Sequence, residues 1–178
     1  MQLTEKEKIV LMKDWKGEKL TEDEKKILPI AKHKSDIIYE KLMKTTFDIY
    51  IAGRLDLDTI KRFDMIKEKI SKYGLEVFNP LDVIQPSEKK GMLDFHALQT
   101  AKILFVATDK VSWGTSIEVG AMEYRKSKGE NVKIIVCYLG KEFDYIKNHP
   151  MSIHIDYITQ DLNDAFKKLE EYIHEIIN

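Results

Sequence analysis

The sequence holds a single cysteine, Cys137, among 178 residues, so it can form no internal disulfide. Cys137 lies in the apolar run VKIIVCYL, where a packed, unreactive thiol is expected, and such sparing cysteine use fits a reducing cytoplasm. No run approaches the ~20 apolar residues that span a bilayer. The opening MQLTEKEKIVLMKDWKGEK also has no apolar signal-peptide core. A cytoplasmic protein without a membrane partner is therefore expected. A surplus of one charge sign is missing as well: 29 Lys and Arg face 30 Asp and Glu, for a net charge of -1. Nothing electrostatic then favours a nucleic-acid polymer as partner. No His, Cys and carboxylate spacing matches a metal site, and no metal or cofactor is expected.

What is present is a foldable balance of 43% hydrophobic and 33% charged residues, at a length that suits one domain with an appendage. Residues 1–45 are rich in lysine and glutamate and read as a helical extension. In it Thr21 and Glu24 form a capping box, Pro29 is expected to interrupt, and Ile37, Ile38, Leu42 and Met43 form an apolar stripe for the main domain or a second subunit. Residues 46–178 alternate short apolar runs with amphipathic ones. FDIYIAG (47–53), LEVFNP (75–80), ILFVAT (103–108), VKIIVCYL (132–139) and HIDYIT (154–159) read as strands. Helices are expected over 58–74, 92–101, 115–129 and 162–177, with 81–91 as a loop. Such alternation predicts an α/β domain with a mostly parallel, five-stranded sheet covered on both faces.

In open parallel sheets ligands bind beyond the carboxyl ends of the strands. The polar strand ends here are Gly53-Arg54, Asn79-Pro80-Leu81-Asp82 and Thr108-Asp109, the last leading into SWGTSIE. In that stretch Gly114 permits close backbone approach to a ligand. Thr115 is a candidate cap for the next helix, whose N-terminus offers N–H groups to an anion. Glu118 is a lone carboxylate between Ile117 and Val119. Placed in the first helical turn, it would have a lowered pKa and serve either as a cap or as a nucleophile. Asp94 comes from the preceding helix and can reach the same crevice. Two carboxylates in unlike environments suit cleavage of a glycosidic bond.

Five pieces carry a resemblance: YIAG (50–53), VFNPLD (77–82), DFHALQTA (94–101), ILFVATD (103–109) and GTSIEVG (114–120). With them the chain resembles the nucleoside 2-deoxyribosyltransferase family, including its deoxynucleoside 5′-monophosphate N-glycosidase branch, across residues 47 to about 140. The resemblance implies a flavodoxin-like doubly wound fold and a retaining mechanism through a covalent glycosyl-enzyme. It assigns Glu118 as the nucleophile on C1′ of the sugar and Asp94 as the group that protonates or positions the departing base. Tyr50 resembles the tyrosine beside the nucleophile, with core packing as its other reading. Ser112 stands where transferases acting on free nucleosides carry Asp, and is similar to the monophosphate-hydrolysing branch. In that branch Arg54 is the natural phosphate fork, with a surface salt bridge as its alternative. Trp113 covers the sugar or base, or only packs. Asp82 contacts the base edge or caps its loop, Asp109 shapes a turn, and His96 is expected at a surface or interface.

The expected function is thus cleavage of the N-glycosidic bond of nucleosides or their 5′-monophosphates, by hydrolysis or base transfer. Ser112 and Arg54 favour the hydrolase, and a homodimer or higher oligomer is expected because the family's sites are often completed by a neighbouring subunit. The alternatives are a non-catalytic nucleotide sensor and an NAD-cleaving TIR-like hydrolase. The lysine-decarboxylase-like phosphoribohydrolases share G-T-x-x-E but need paired glycines before it, where this chain has Val111-Ser112-Trp113.

Overall fold

A computed structural model of the chain describes residues 1–54 and 57–177; residue 178, the last of the expected α/β domain, lies outside them. The apolar runs form β1 (Ile49–Ala52), β2 (Val77–Phe78), β3 (Ile103–Thr108), β4 (Lys133–Tyr138) and β5 (Tyr157–Thr159). They make one sheet in the order β2-β1-β3-β4-β5, parallel throughout. This is the flavodoxin-like order, and helices lie on both faces. The strands read as unbroken apolar runs because both of their faces are buried.

Alternation along the strands sorts side chains into two cores. Tyr50, Phe78, Leu104 and Val136 face α4 (Ser87–Thr100) and α5 (Trp113–Ser127), which contribute Leu93, Ala97 and Met122. Ile49, Ile51, Phe105 and Cys137 face α3 (Leu57–Ser71) and α7 (Leu162–Ile177), which contribute Phe63, Ile66 and Phe166. Between β4 and β5 the chain forms α6 (Phe143–Asn148) and a 3-10 turn over Pro150–His154, neither signalled by hydrophobic periodicity.

The first 45 residues form α1 (Glu5–Trp15) and α2 (Glu22–Leu42). Thr4 with Glu7 and Thr21 with Glu24 close reciprocal capping boxes. Pro29 does not interrupt: α2 runs through it for 21 residues. The lost N–H bond is offset by capping, an acidic first turn and burial of Ala31, Ser35 and Ile38. Of the expected stripe, Ile38 is buried, Leu42 and Met43 pack partly against the core, and Ile37 is exposed. Met12 of α1 joins one core, while Leu11 of α1 with Ala31 and Ile38 of α2 joins the other. Ser35 donates its hydroxyl to the Ile84 carbonyl at 2.9 Å and accepts the Ile84 N–H at 3.2 Å.

Two details position the site. Residues 87–91, expected as loop, are the first turn of α4, which follows Pro86 at its N-cap; Gly91 lies inside that helix with open space around it. Gly53 ends β1 against β3, and a Cβ there would stand 2.5 Å from the Ala107 carbonyl oxygen. Strand packing alone thus demands glycine at 53.

Candidate functional site

From β1 the chain leads to β2 on one side of the sheet, while β3 leads to β4 on the other. The crevice at this reversal of strand order is where a doubly wound sheet takes its ligand. Tyr50 lies on β1 between Leu104 and Phe78 in register. Its ring is fully buried and packs on Phe78 with centroids 4.9 Å apart, which fixes where its hydroxyl points. That hydroxyl donates to Glu118 Oε1 of α5 at 2.7 Å. Asp94 of α4 faces the same hydroxyl. Both oxygens of Asp94 in turn accept from Lys90 Nζ, each at 3.0 Å. The helices on either side of β3 thus bring two carboxyls to one phenol, from residues 24 apart in sequence (118 − 94).

Glu118 as a residue is half-buried, but its Oε2 is shut off from solvent and, among the described residues, has no hydrogen-bond partner. Burial pushes its carboxyl up to about 7; the Tyr50 hydrogen bond works against this, the Asp94 charge adds to it, and Lys90 lowers it. The lowered pKa expected from the sequence is therefore corrected. Ser112, not Thr115, caps α5: its Oγ accepts the Thr115 N–H at 3.2 Å. The helix starts at Trp113, so Glu118 is its sixth residue, past the first turn where the macrodipole acts, and desolvation dominates. Asp94 is also raised by burial, with Lys90 and the Tyr50 hydroxyl holding it back. Tyr50 is raised well above the ordinary phenol range by burial and by both carboxyls. It is therefore a donor and not a base.

The other expected residues divide. Ser112 and Thr115 are spent on each other, with hydroxyl oxygens 2.9 Å apart. Trp113 is 87% exposed. Gly114 is exposed, and a Cβ there would meet open space, so packing does not demand glycine. Arg54 is exposed immediately beyond Gly53. Asp82 is bound into an ion-pair network with Lys67 and, at 3.8 Å, Lys8, on the flank where α1 docks. His96 is half-buried, with Nε2 2.9 Å from the Thr45 carbonyl, and ties α4 to the segment before β1. Cys137 is buried, and its thiol is pushed up to about 11 by burial.

Sequence reasoning missed Lys90. The Lys90–Asp94 spacing of i and i+4 is a helical ion-pair signature, but it was hidden by reading 81–91 as loop. Compared with family models and with curated proteins, the chain matches none.

Proposed function

We propose that the protein cleaves the N-glycosidic bond of nucleosides or their 5′-monophosphates, with Glu118 as nucleophile. One observation carries this reading: Tyr50 holds Glu118 Oε1 at 2.7 Å while Oε2 is left buried and unpartnered. Oε2 is thus uncommitted, and a side-chain shift that uncovers it to substrate lets it attack in the direction that the tyrosine fixes. In the first step Oε2 bonds to C1′ of the sugar and the C1′–N bond breaks. The base leaves with the electron pair and takes a proton from Asp94 or from water held by it. Water, or a second base, then displaces Glu118 from C1′ and restores the carboxylate. A carboxyl with a pKa near 7 is half ionised at neutral pH, and the cationic character growing on the sugar favours its charged form. Asp94 has the raised carboxyl that an acid needs, and Lys90 keeps it within working range.

Arg54 and the amino end of α5 follow the carboxyl ends of the neighbouring strands β1 and β3, and a guanidinium with helix N–H groups suits a 5′-phosphate, which favours the monophosphate hydrolase over base transfer. Ser112 supports the same choice only through its place at the helix start, since its hydroxyl is already a cap. The reading includes a homodimer: adjacent helices α4 and α5 leave Met92, Phe95, Trp113, Ile117 and Tyr124 exposed, an apolar face of the kind that marks an interface.

The test is chromatography of nucleosides and 5′-monophosphates incubated with the wild type and with Glu118→Gln. Release of free base by the wild type and its loss in the variant are expected, and a second added base separates transfer from hydrolysis. Tight nucleotide binding without release would point instead to the sensor. Light scattering in solution, with Ile117→Asp as the comparison, tests the dimer.

A further inference from the structure

A second opening, not lined by Glu118, is left unexplained by the chemistry above. A cleft of about 440 Å³ lies on the other flank of α5, between that helix, the carboxyl halves of β3 and β4, and the α6 and 3-10 segment. Its size falls within the ~300–1,000 Å³ typical of small-molecule pockets. On the helical wheel Glu118 and the cleft-lining Glu123 lie on opposite sides of the buried Met122.

The lining is mainly apolar in area, with Val106, Val119, Val136 and Ile155 among its residues, and includes the hydroxyls of Ser116 and Ser152. One polar group stands out among them. Glu123 lines the cleft, and its Oε1 is shielded from solvent with no hydrogen-bond partner among the described residues. The charges of His154 and Lys126 act on Glu123 without a hydrogen bond to Oε1, and Lys126 Nζ is committed to Asp156 Oδ1 at 2.6 Å and the His154 carbonyl at 3.2 Å. A buried carboxyl oxygen without a donor is costly, and such groups call for an explanation. At the mouth, Tyr145 and His149 stand with ring centroids 5.6 Å apart, and Tyr145 is largely exposed. A missing donor, apolar walls and aromatic rims together describe a ligand that is flat, apolar on its faces and a donor at its edge.

We propose that this cleft is a second small-molecule site, for a heteroaromatic ring that bears an amino group. The ring lies among Val106, Val119, Val136 and Ile155, and its amino N–H donates to Glu123 Oε1. The site does not depend on the chemistry at Glu118. Amino-bearing nucleobases belong to this ligand class.

The test titrates 2-aminopyrimidine into the full-length chain and follows backbone amide shifts, with pyrimidine, which has no donor, as the control. Saturable shifts confined to residues 119–123 and 152–155 are expected for 2-aminopyrimidine, with pyrimidine at least about tenfold weaker, the size of one hydrogen bond to an ionisable group. Glu123→Leu should weaken binding by a similar factor. Val119→Phe, which fills the cleft and leaves Glu123 in place, should abolish it in a variant whose amide spectrum remains folded. Glu118→Gln, at a side chain that does not line the cleft, should leave the affinity within about twofold. Three results overturn the proposal: no saturable binding by the wild type at millimolar ligand, equal binding of pyrimidine, or binding lost in Glu118→Gln and kept in Glu123→Leu. None of these touches base release at Glu118, which the panel assay decides separately.

Discussion

Replacing Tyr50 with Phe removes one hydroxyl from a ring that stays packed on Phe78. What is lost is the 2.7 Å hydrogen bond to Glu118 Oε1, which favours the charged carboxyl. A hydrogen bond to a charged group contributes ~1.5–3 kcal/mol, and ~1.4 kcal/mol corresponds to one pKa unit. The Glu118 carboxyl should therefore climb from about 7 to roughly 8–9. Asp94 loses the same hydroxyl and is protonated more readily, which relieves part of the repulsion and favours the lower end of that range. At pH 7 the ionised fraction of Glu118 falls from roughly a half to roughly 1–10%. Two assays report this. Carbon NMR of labelled glutamate carboxyls follows the titration of Glu118 directly. The acidic limb of kcat/KM, where rate falls as the nucleophile is protonated, should move up by about one to two pH units. A carboxyl titration in Tyr50→Phe within about 0.3 units of the wild type, a shift worth under ~0.5 kcal/mol, would refute the assignment of Tyr50 as the group holding Glu118.

Further predictions concern stability and the acid pair. The folded-state pKa of Glu118, about 7, lies above the ordinary 4.5, so its favourable contribution is complete below pH 4.5 and is lost as pH rises through 7. Glu118→Gln should accordingly be more stable than the wild type at pH 8, by up to about 3 kcal/mol, and the difference should close by about pH 4.5; denaturant unfolding at both pH values checks this, and a variant destabilised at pH 8 contradicts it. Asp82→Asn breaks the contacts with Lys67 and Lys8 and should cost ~1–3 kcal/mol of stability while leaving the KM for nucleotides unchanged; a raised KM without a stability loss would restore Asp82 to the base edge. Lys90→Met removes the cation that lowers both Asp94 and Glu118, so both limbs of the pH–rate profile should move upward, and an unmoved profile would exclude Lys90 from the site.

Much of this architecture is legible in local pattern. The strands and the helices α3, α5 and α7 follow from apolar runs, amphipathic period and the glycines that close them, and their alternation predicts the parallel sheet. Glu118 and Asp94 were readable as a pair because each is a carboxylate in an apolar neighbourhood. Their protonation was not readable, since it depends on burial and on Tyr50, a residue 68 positions from Glu118. A single helical register decides the cap: with Ser112 at the N-cap, Glu118 moves from the first turn to the second and its electrostatics invert. Asp82 sits at a strand end as expected, but its partners come from Lys8 and Lys67, contacts that no spacing announces. The Thr4–Glu7 box has the same signature as Thr21–Glu24, yet it precedes a helix whose apolar face is split between two cores and so lacks a clean period. The cleft beside Glu123 is formed by α6 and the 3-10 turn, segments too short to carry a period of their own.

The central claim is that Glu118 forms a covalent bond to the sugar. Turnover of a deoxynucleoside 5′-monophosphate, quenched in acid and followed by intact-mass and peptide mass spectrometry, tests it directly. The predicted result is a glycosyl adduct of deoxyribose 5-phosphate less water, on the peptide that contains Glu118, absent from Glu118→Ala along with base release. Base release at the wild-type rate by Glu118→Ala, or an adduct on a different residue, would contradict it.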